Sequence, residues 1–310
     1  MAKSIILNFH SEQDGPLFER IILSLRSKYQ LVSTEQLEQL LLQKKELKNI
    51  CHISFDDGET SFYNIIYPLL KKHNVPVSLF LSPEIIDTQR NFWFQEVDGY
   101  DNDLMKKLIA ERMHVAVEAL RAFSFQQVCK SLKIADITAV MEAYRQLTNC
   151  GLKASMNMTL GQVLEVESSG LVTIGAHTLH HPILKNEDDK SSYFEITESI
   201  QRLQQIAGHP IRYFAYPNGR PGIDFNDREM QYLRENNIAI AFSSVLEHLS
   251  PRVNMLSVPR TGFPRMGLSP SNPLIYFRLY LGKRWVGIKS INKPSEKKVR
   301  EQISLILNKK

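Results

Sequence analysis

Cys51-His52-Ile53-Ser54-Phe55-Asp56-Asp57-Gly58 opens a unit that runs on to Val75-Pro76-Val77-Ser78-Leu79-Phe80-Leu81. The first apolar run reads as a buried strand. The spacing of Tyr63, Ile66, Leu69 and Leu70 reads as a helix, and the second run, rich in β-forming residues, as another strand. Strand, helix and strand in this order imply parallel pairing. Repeated over 310 residues, they imply a closed or nearly closed barrel.

Working outward, residues 4–9 form a first strand ending at His10, 15–29 have helical spacing, and Gln30-Leu31-Val32 is a short strand. Ser33 or Thr34 then caps a helix over 35–43. Downstream, Leu171-Val172-Thr173-Ile174-Gly175-Ala176 reads as a strand, 191–208 as a helix, and 211–216 as a strand closed by Pro217-Asn218-Gly219. A helix over 228–236 and a strand over 238–243 follow. Leu256-Ser257-Val258 is the last strand, leading into Pro259-Arg260-Thr261-Gly262. Between 91 and 169 the alternation stops and helical periodicity dominates, so a helical insertion is expected at about 95–158. The expected division is a barrel domain over 1–285, carrying that insertion, and a basic helical tail over 286–310.

A hydrophobic share of 43% beside 23% charged residues is that of a soluble globular chain. The formal charge of +5 is concentrated after Leu281, so no nucleic-acid partner is expected. Cys51, Cys129 and Cys150 have no paired spacing, which argues against a disulfide framework or a thiolate metal site. The apolar run near Met1 is too short for a signal peptide, and no stretch approaches the ~20 apolar residues of a membrane span, so a cytoplasmic location is expected. The aromatic and basic stretch of Tyr276, Phe277, Tyr280, Arg284 and Trp285 reads as a packed C-terminal helix, with peripheral membrane contact as the alternative.

His177-Thr178-Leu179-His180-His181-Pro182 follows directly on a strand, at the end of a β/α unit where ligands bind. His177 and His181 are four apart and converge on one point if the segment makes a single helical turn, with His180 facing elsewhere. A divalent metal held there needs a third ligand, and Asp56-Asp57 at another strand end supplies a carboxylate. Neighbouring side chains point in different directions, so one of the two ligates while the other serves as general base. The metal's part is to lower the pKa of water toward ~7.

Ser54-Phe55-Asp56-Asp57-Gly58 and His177-Thr178-x-x-His181-Pro182, in this order, resemble the first two motifs of the polysaccharide deacetylases. This is the nodulation-factor deacetylase homology domain, carbohydrate esterase family 4. Phe214-Ala215-Tyr216-Pro217-Asn218-Gly219 resembles the third motif in its Phe-Ala-Tyr-Pro-x-Gly form. The resemblance implies a distorted (β/α) barrel with a divalent metal, usually Zn2+, that hydrolyses an N-acetyl or sometimes an O-acetyl group on a sugar. It implies that Asp57, His177 and His181 hold the metal, that Asp56 is the base, and that the backbone N–H near Tyr216 steadies the oxyanion. Asp and His donors suit Co2+, Ni2+ or Fe2+ as well.

Two departures from the family pattern stand out. Ala215 occupies the place of the arginine that usually tethers the base, and Arg260 is the replacement expected to grip Asp56 bidentately. For the general acid, usually the histidine of a late Leu-x-His motif, His10, in Phe9-His10-Ser11, is expected instead, with His248, in Leu246-Glu247-His248, in reserve. Phe92, Trp93 and Phe94 either line a sugar groove or pack the insertion. The expected function is metal-dependent removal of an N-acetyl group from an N-acetylated sugar or oligosaccharide in a glycan or its precursor. The alternatives are hydrolysis of an N-formyl or O-acetyl group, and a catalytically silent sugar-binding module of the same fold.

Overall fold

The computed structural model describes residues 3–11, 13–263 and 295–308. The aromatic and basic stretch from Tyr276 to Trp285 lies outside the described residues. Nine short strands pair in one sheet, every ladder parallel. They are β1 (Ile5–Phe9), β2 (Gln30–Leu31), β3 (Ile50–Phe55), β4 (Val77–Leu81), β5 (Val172–Ala176), β6 (Tyr213–Ala215), β7 (Ile240–Ser243), β8 (Val258–Pro259) and β9 (Thr261–Gly262). The sheet curls into a nearly closed barrel with the helices around it.

The barrel is distorted in two places. β3 pairs with β2 over its first two residues and with β4 over its last two, so the wall forks there. The closure is made by a single short segment. β8 pairs with β7, β9 pairs with β1, and Arg260 sits at the bend between them. The last strand therefore lies two to four residues beyond the expected Leu256-Ser257-Val258, and its two halves serve opposite neighbours.

Strand side chains alternate between two apolar clusters, as the two-residue period of a strand demands. Ile5, Leu7, Phe9, Ile53, Phe55, Leu79 and Leu81 face the helices, where Phe18, Ile22, Ile66 and Leu70 meet them. Ile6, Phe80, Tyr213, Ile240, Phe242 and Val258 fill the barrel, with Leu37 and Leu41 of the helix Thr34–Leu42 packed against them. Gly175 in β5 makes room for this filling, since a Cβ there would lie 2.5 Å from the Phe80 ring and 2.8 Å from the Tyr213 carbonyl oxygen.

The expected insertion is helical, with helices at Trp93–Glu96, Asn102–Met113, Phe125–Cys129 and Ile134–Thr148. It has its own apolar cluster around Ile109, Leu120, Val128 and Val140, and the terminal helix Glu296–Leu307 completes it with Val299, Ile303 and Leu307. That helix is thus built into the insertion rather than trailing from it. Among the described residues no helix is long and apolar enough to cross a membrane.

Candidate metal centre and catalytic cleft

The C-terminal ends of the barrel strands carry the chemistry. Asp57 after β3 and His177 and His181 after β5 are buried, and one ligand atom from each lies within 4.8 Å of the other two. Asp57 Oδ1 is 3.7 Å from His177 Nε2 and 3.8 Å from His181 Nε2. His177 is fixed by the strands on either side. Its N–H donates to the Leu81 carbonyl at 2.9 Å, and its Nδ1 lies 2.7 Å from the Ala215 carbonyl. A carbonyl only accepts, so Nδ1 carries the proton and Nε2 turns its lone pair toward Asp57. Burial lowers the pKa of both imidazoles, against the pull of Asp56, and keeps them in the neutral form that ligates. Two neutral imidazole lone pairs and a carboxylate oxygen, convergent and buried, are a donor set that fits a divalent cation.

The histidine segment is a bent loop, not the helical turn that the spacing suggested. Thr178 and His181 have φ of 64° and 57°, left-handed values that cost a β-branched threonine in particular. Side chains hold the loop in this shape. Thr178 Oγ1 accepts the His181 N–H at 3.1 Å. The buried Glu195 carboxylate accepts the N–H groups of Leu179 and His180 at 3.0 Å and lies 2.6 Å from His180 Nδ1. Glu195 is in the body of the helix Asp189–Ala207, so it acts on this loop and not on the helix dipole. The turn after β3 is bent likewise: Asp57 and Gly58 have φ of 72° and 71°. A Cβ on Gly58 would lie 2.3 Å from Leu81 Cδ2, so glycine is required there on both counts.

Asp56 is turned the other way, into the barrel. Arg260 grips it bidentately, Nη1 to Oδ1 at 2.7 Å and Nη2 to Oδ2 at 3.0 Å. Asn8 Nδ2 donates to Oδ2 at 2.8 Å, while Asn8 Oδ1 accepts from Arg260 and from Ser54, both at 3.0 Å. The guanidinium is itself buried and sits 5.2 Å from the Phe80 ring and 5.6 Å from the Phe242 ring. Burial pushes the Asp56 carboxyl up, but Arg260, by charge and hydrogen bond, and the neighbouring His177 and His10 together outweigh it and hold the group below the usual carboxylate range.

These residues open onto a cleft of about 770 Å3, lined by His10, Asp56, Asp57, His177, His181 and Asn218 on the barrel side. The opposite wall comes from the insertion, including Trp93, Phe94, Tyr100 and Lys130. His10 Nε2 is 3.9 Å from Asp56 Oδ2, and its side chain is 41% exposed, open to a substrate in the cleft. His248 is at the other end of the barrel, where the next residue, Leu249, donates its N–H to the Ser4 carbonyl at 2.9 Å. It is out of reach as a reserve acid.

The reading of Tyr216 needs correction. Its N–H donates to the Phe242 carbonyl at 3.2 Å, its ring stacks on Phe225 and its hydroxyl donates to the Leu256 carbonyl, so it presents no donor to the cleft. Asn218, two residues on and with φ of 56°, is the third-motif residue that lines the cleft. The aromatic triplet divides between the cleft and the interior. Phe92 is buried, Trp93 and Phe94 line the cleft, and Phe92 and Phe94 meet the His181 ring edge-on at 5.6 and 4.9 Å. Trp93 Nε1 donates to the His181 carbonyl at 3.2 Å. Asn8, Ser54 and Glu195 were given no part in the site from the sequence. For Asn8 and Glu195 the signal there is a polar residue where a core strand or helix face expects an apolar one, and for Ser54 it is a place in the first motif.

The polysaccharide deacetylase family model matches residues 43–241, more than half of the chain. No curated protein sequence matches it. Several solved structures share the fold. The deacetylase PplD of Streptococcus pyogenes, in complex with acetate, is 18% identical, with 88% of this chain and 97% of that one covered and a TM-score of 0.59. IcaB from Ammonifex degensii is 17% identical, covers 90% and 98%, and has a TM-score of 0.56. A de-N-acetylase from Aggregatibacter actinomycetemcomitans is 19% identical, covers 86% and 98%, and has a TM-score of 0.57. With the family match spanning the motifs that meet at the cleft, the chain belongs to the polysaccharide deacetylases.

Proposed function

We propose that the protein removes an N-acetyl group from an N-acetylated sugar in a glycan or glycan precursor, using a divalent metal, Zn2+ first, held by Asp57, His177 and His181. The observation that carries this reading is the division between the two adjacent carboxylates. Asp57 converges with the two imidazoles, while Asp56 is kept ionised by Arg260 beside them and lines the same cleft. The ion, when bound, supplies a Lewis acid for the acyl carbonyl and lowers the pKa of water.

Asp56 takes the proton of the attacking water as the new C–O bond forms. Its Oδ2 already accepts from Asn8 and Arg260, so Oδ1, which accepts from Arg260 alone among the described residues, has the spare lone pair. The developing oxyanion is steadied from the third-motif turn at Asn218 rather than at Tyr216. His10 gives a proton to the departing amine as the C–N bond breaks, so that acetate and a free amino sugar leave. Arg260 on Asp56, in place of the missing arginine at Ala215, supports an active enzyme over a silent module.

The test is acetate release from an N-acetylglucosamine oligomer, run beside N-formyl and O-acetyl sugars. Asp56→Asn is expected to lower turnover at least 100-fold with metal content unchanged. Turnover at the wild-type rate in that variant removes Asp56 from the reaction, and release only of formate or of O-linked acetate reassigns the acyl group.

A further inference from the structure

The insertion gives the cleft a cation that the acyl-transfer chemistry does not use. Lys130 lines the cleft from the wall facing the triad. Arg300 binds the Lys130 carbonyl and gathers Asp224 and Glu296 beside it, with Arg220 on Glu296. The two acids among them are already engaged, since Arg300 Nη2 lies 2.9 Å from both Asp224 Oδ1 and Glu296 Oε1, and Arg220 pairs with Glu296 as well. Three cations thus share two carboxylates, and the surplus positive charge falls on Lys130. Among the described residues no carboxylate is within ion-pairing distance of its amine.

The backbone of Lys130 is also fastened. Its carbonyl accepts from Arg300 Nη1 at 3.1 Å and from Asn186 Nδ2 at 3.0 Å, which ties it to the terminal helix and to the loop after the histidines. Asn102, Ser124 and Gln126 add neutral polar groups to the same wall. Among the described residues the one opposing charge on that wall is Asp98, which is exposed. Partial burial also lowers the pKa of the Lys130 amine, as expected of a cation partly stripped of water, in which state a direct contact with an anion is strong.

We propose that Lys130 marks a subsite for an anionic group, a phosphate or a carboxylate, carried by the acetylated sugar and set apart from the acetamido group that reacts. This rests on the sugar-deacetylase reading and narrows it to acidic substrates, with the insertion and terminal helix as the specificity element. A cleft of about 770 Å3 is large enough to hold the reacting sugar and a charged neighbour together.

Calorimetric titration of the full zinc-supplemented chain tests it, with two ligand pairs. N-acetylglucosamine 1-phosphate is compared with N-acetylglucosamine, and a glucuronate–N-acetylglucosamine disaccharide with neutral diacetylchitobiose. One charged ligand or the other is expected to bind about tenfold tighter than its neutral partner, and which of them does so names the anion. The advantage should shrink with added salt. Lys130→Gln should lower the charged-to-neutral ratio about tenfold and Lys130→Arg should restore it. Equal binding within both pairs, or a ratio untouched by Lys130→Gln, overturns the proposal. Acetate release measured in parallel keeps the two readings apart, because a charge preference without hydrolysis sinks the activity and leaves the subsite standing.

Discussion

Arg260 and Asp56 are both withdrawn from water, so neither charge is tolerable there without the other. Arg260→Met is therefore expected to destabilise the fold by about 3–5 kcal/mol and to cut deacetylation roughly 100-fold. Denaturant unfolding and acetate release read the two effects, and wild-type stability in that variant would contradict the pairing. This residue shows how far the sequence could be read. Asp56, Asp57, His177 and His181 are visible because each lies in a short motif directly after an apolar run. Arg260 came from a gap in the third motif, which demanded a cation from elsewhere. Asn8 was out of reach, because its partners Asp56 and Arg260 are 48 and 252 positions away and only barrel closure brings them together. Tyr216 differs for a related reason: a motif resemblance places the oxyanion donor near it but does not say that the neighbouring strand has already taken its N–H.

Strand and helix order was legible because strands alternate every two residues and helices show their apolar stripe, so most elements were expected within a few residues of where they lie. The shape of the histidine loop was not, since left-handed residues are usually announced by glycine or asparagine, and here they are Thr178 and His181. Glu195 holds that loop with one carboxylate that accepts two backbone N–H groups and faces His180. A glutamine there presents an NH2 group where an acceptor is needed. Glu195→Gln is expected to weaken zinc binding about 10–100-fold, a typical cost of losing a group that orients metal ligands. Competition against a chromophoric chelator measures it, with circular dichroism to confirm the fold. Unchanged affinity would mean that the loop holds its shape without that carboxylate.

At the scale of the molecule, the insertion, the terminal helix and the barrel meet around one cleft, a long-range arrangement that local patterns do not encode. Ile303→Ala, at a fully buried position of that helix, is expected to cost about 2–5 kcal/mol in thermal or denaturant unfolding. Glu187 is a second tie. Its carboxylate accepts the Ile134 N–H of the insertion at 2.7 Å, and burial pushes its pKa from 4.5 up to about 7. Between those values the folded chain keeps a proton that the unfolded chain has shed, so this group's contribution to stability is full below 4.5 and falls as pH rises through about 7. Glu187→Gln should flatten the decline in melting temperature over that window, and an unaltered pH profile would show that Glu187 does not set it. The central claim is that Asp57, His177 and His181 enclose one cation, and anomalous diffraction at the zinc edge from zinc-soaked crystals tests it most directly. A single strong peak between Asp57 Oδ1 and the two Nε2 atoms, with Asp56 still on Arg260, is the expected result. Zinc density elsewhere and none among these three side chains would contradict it.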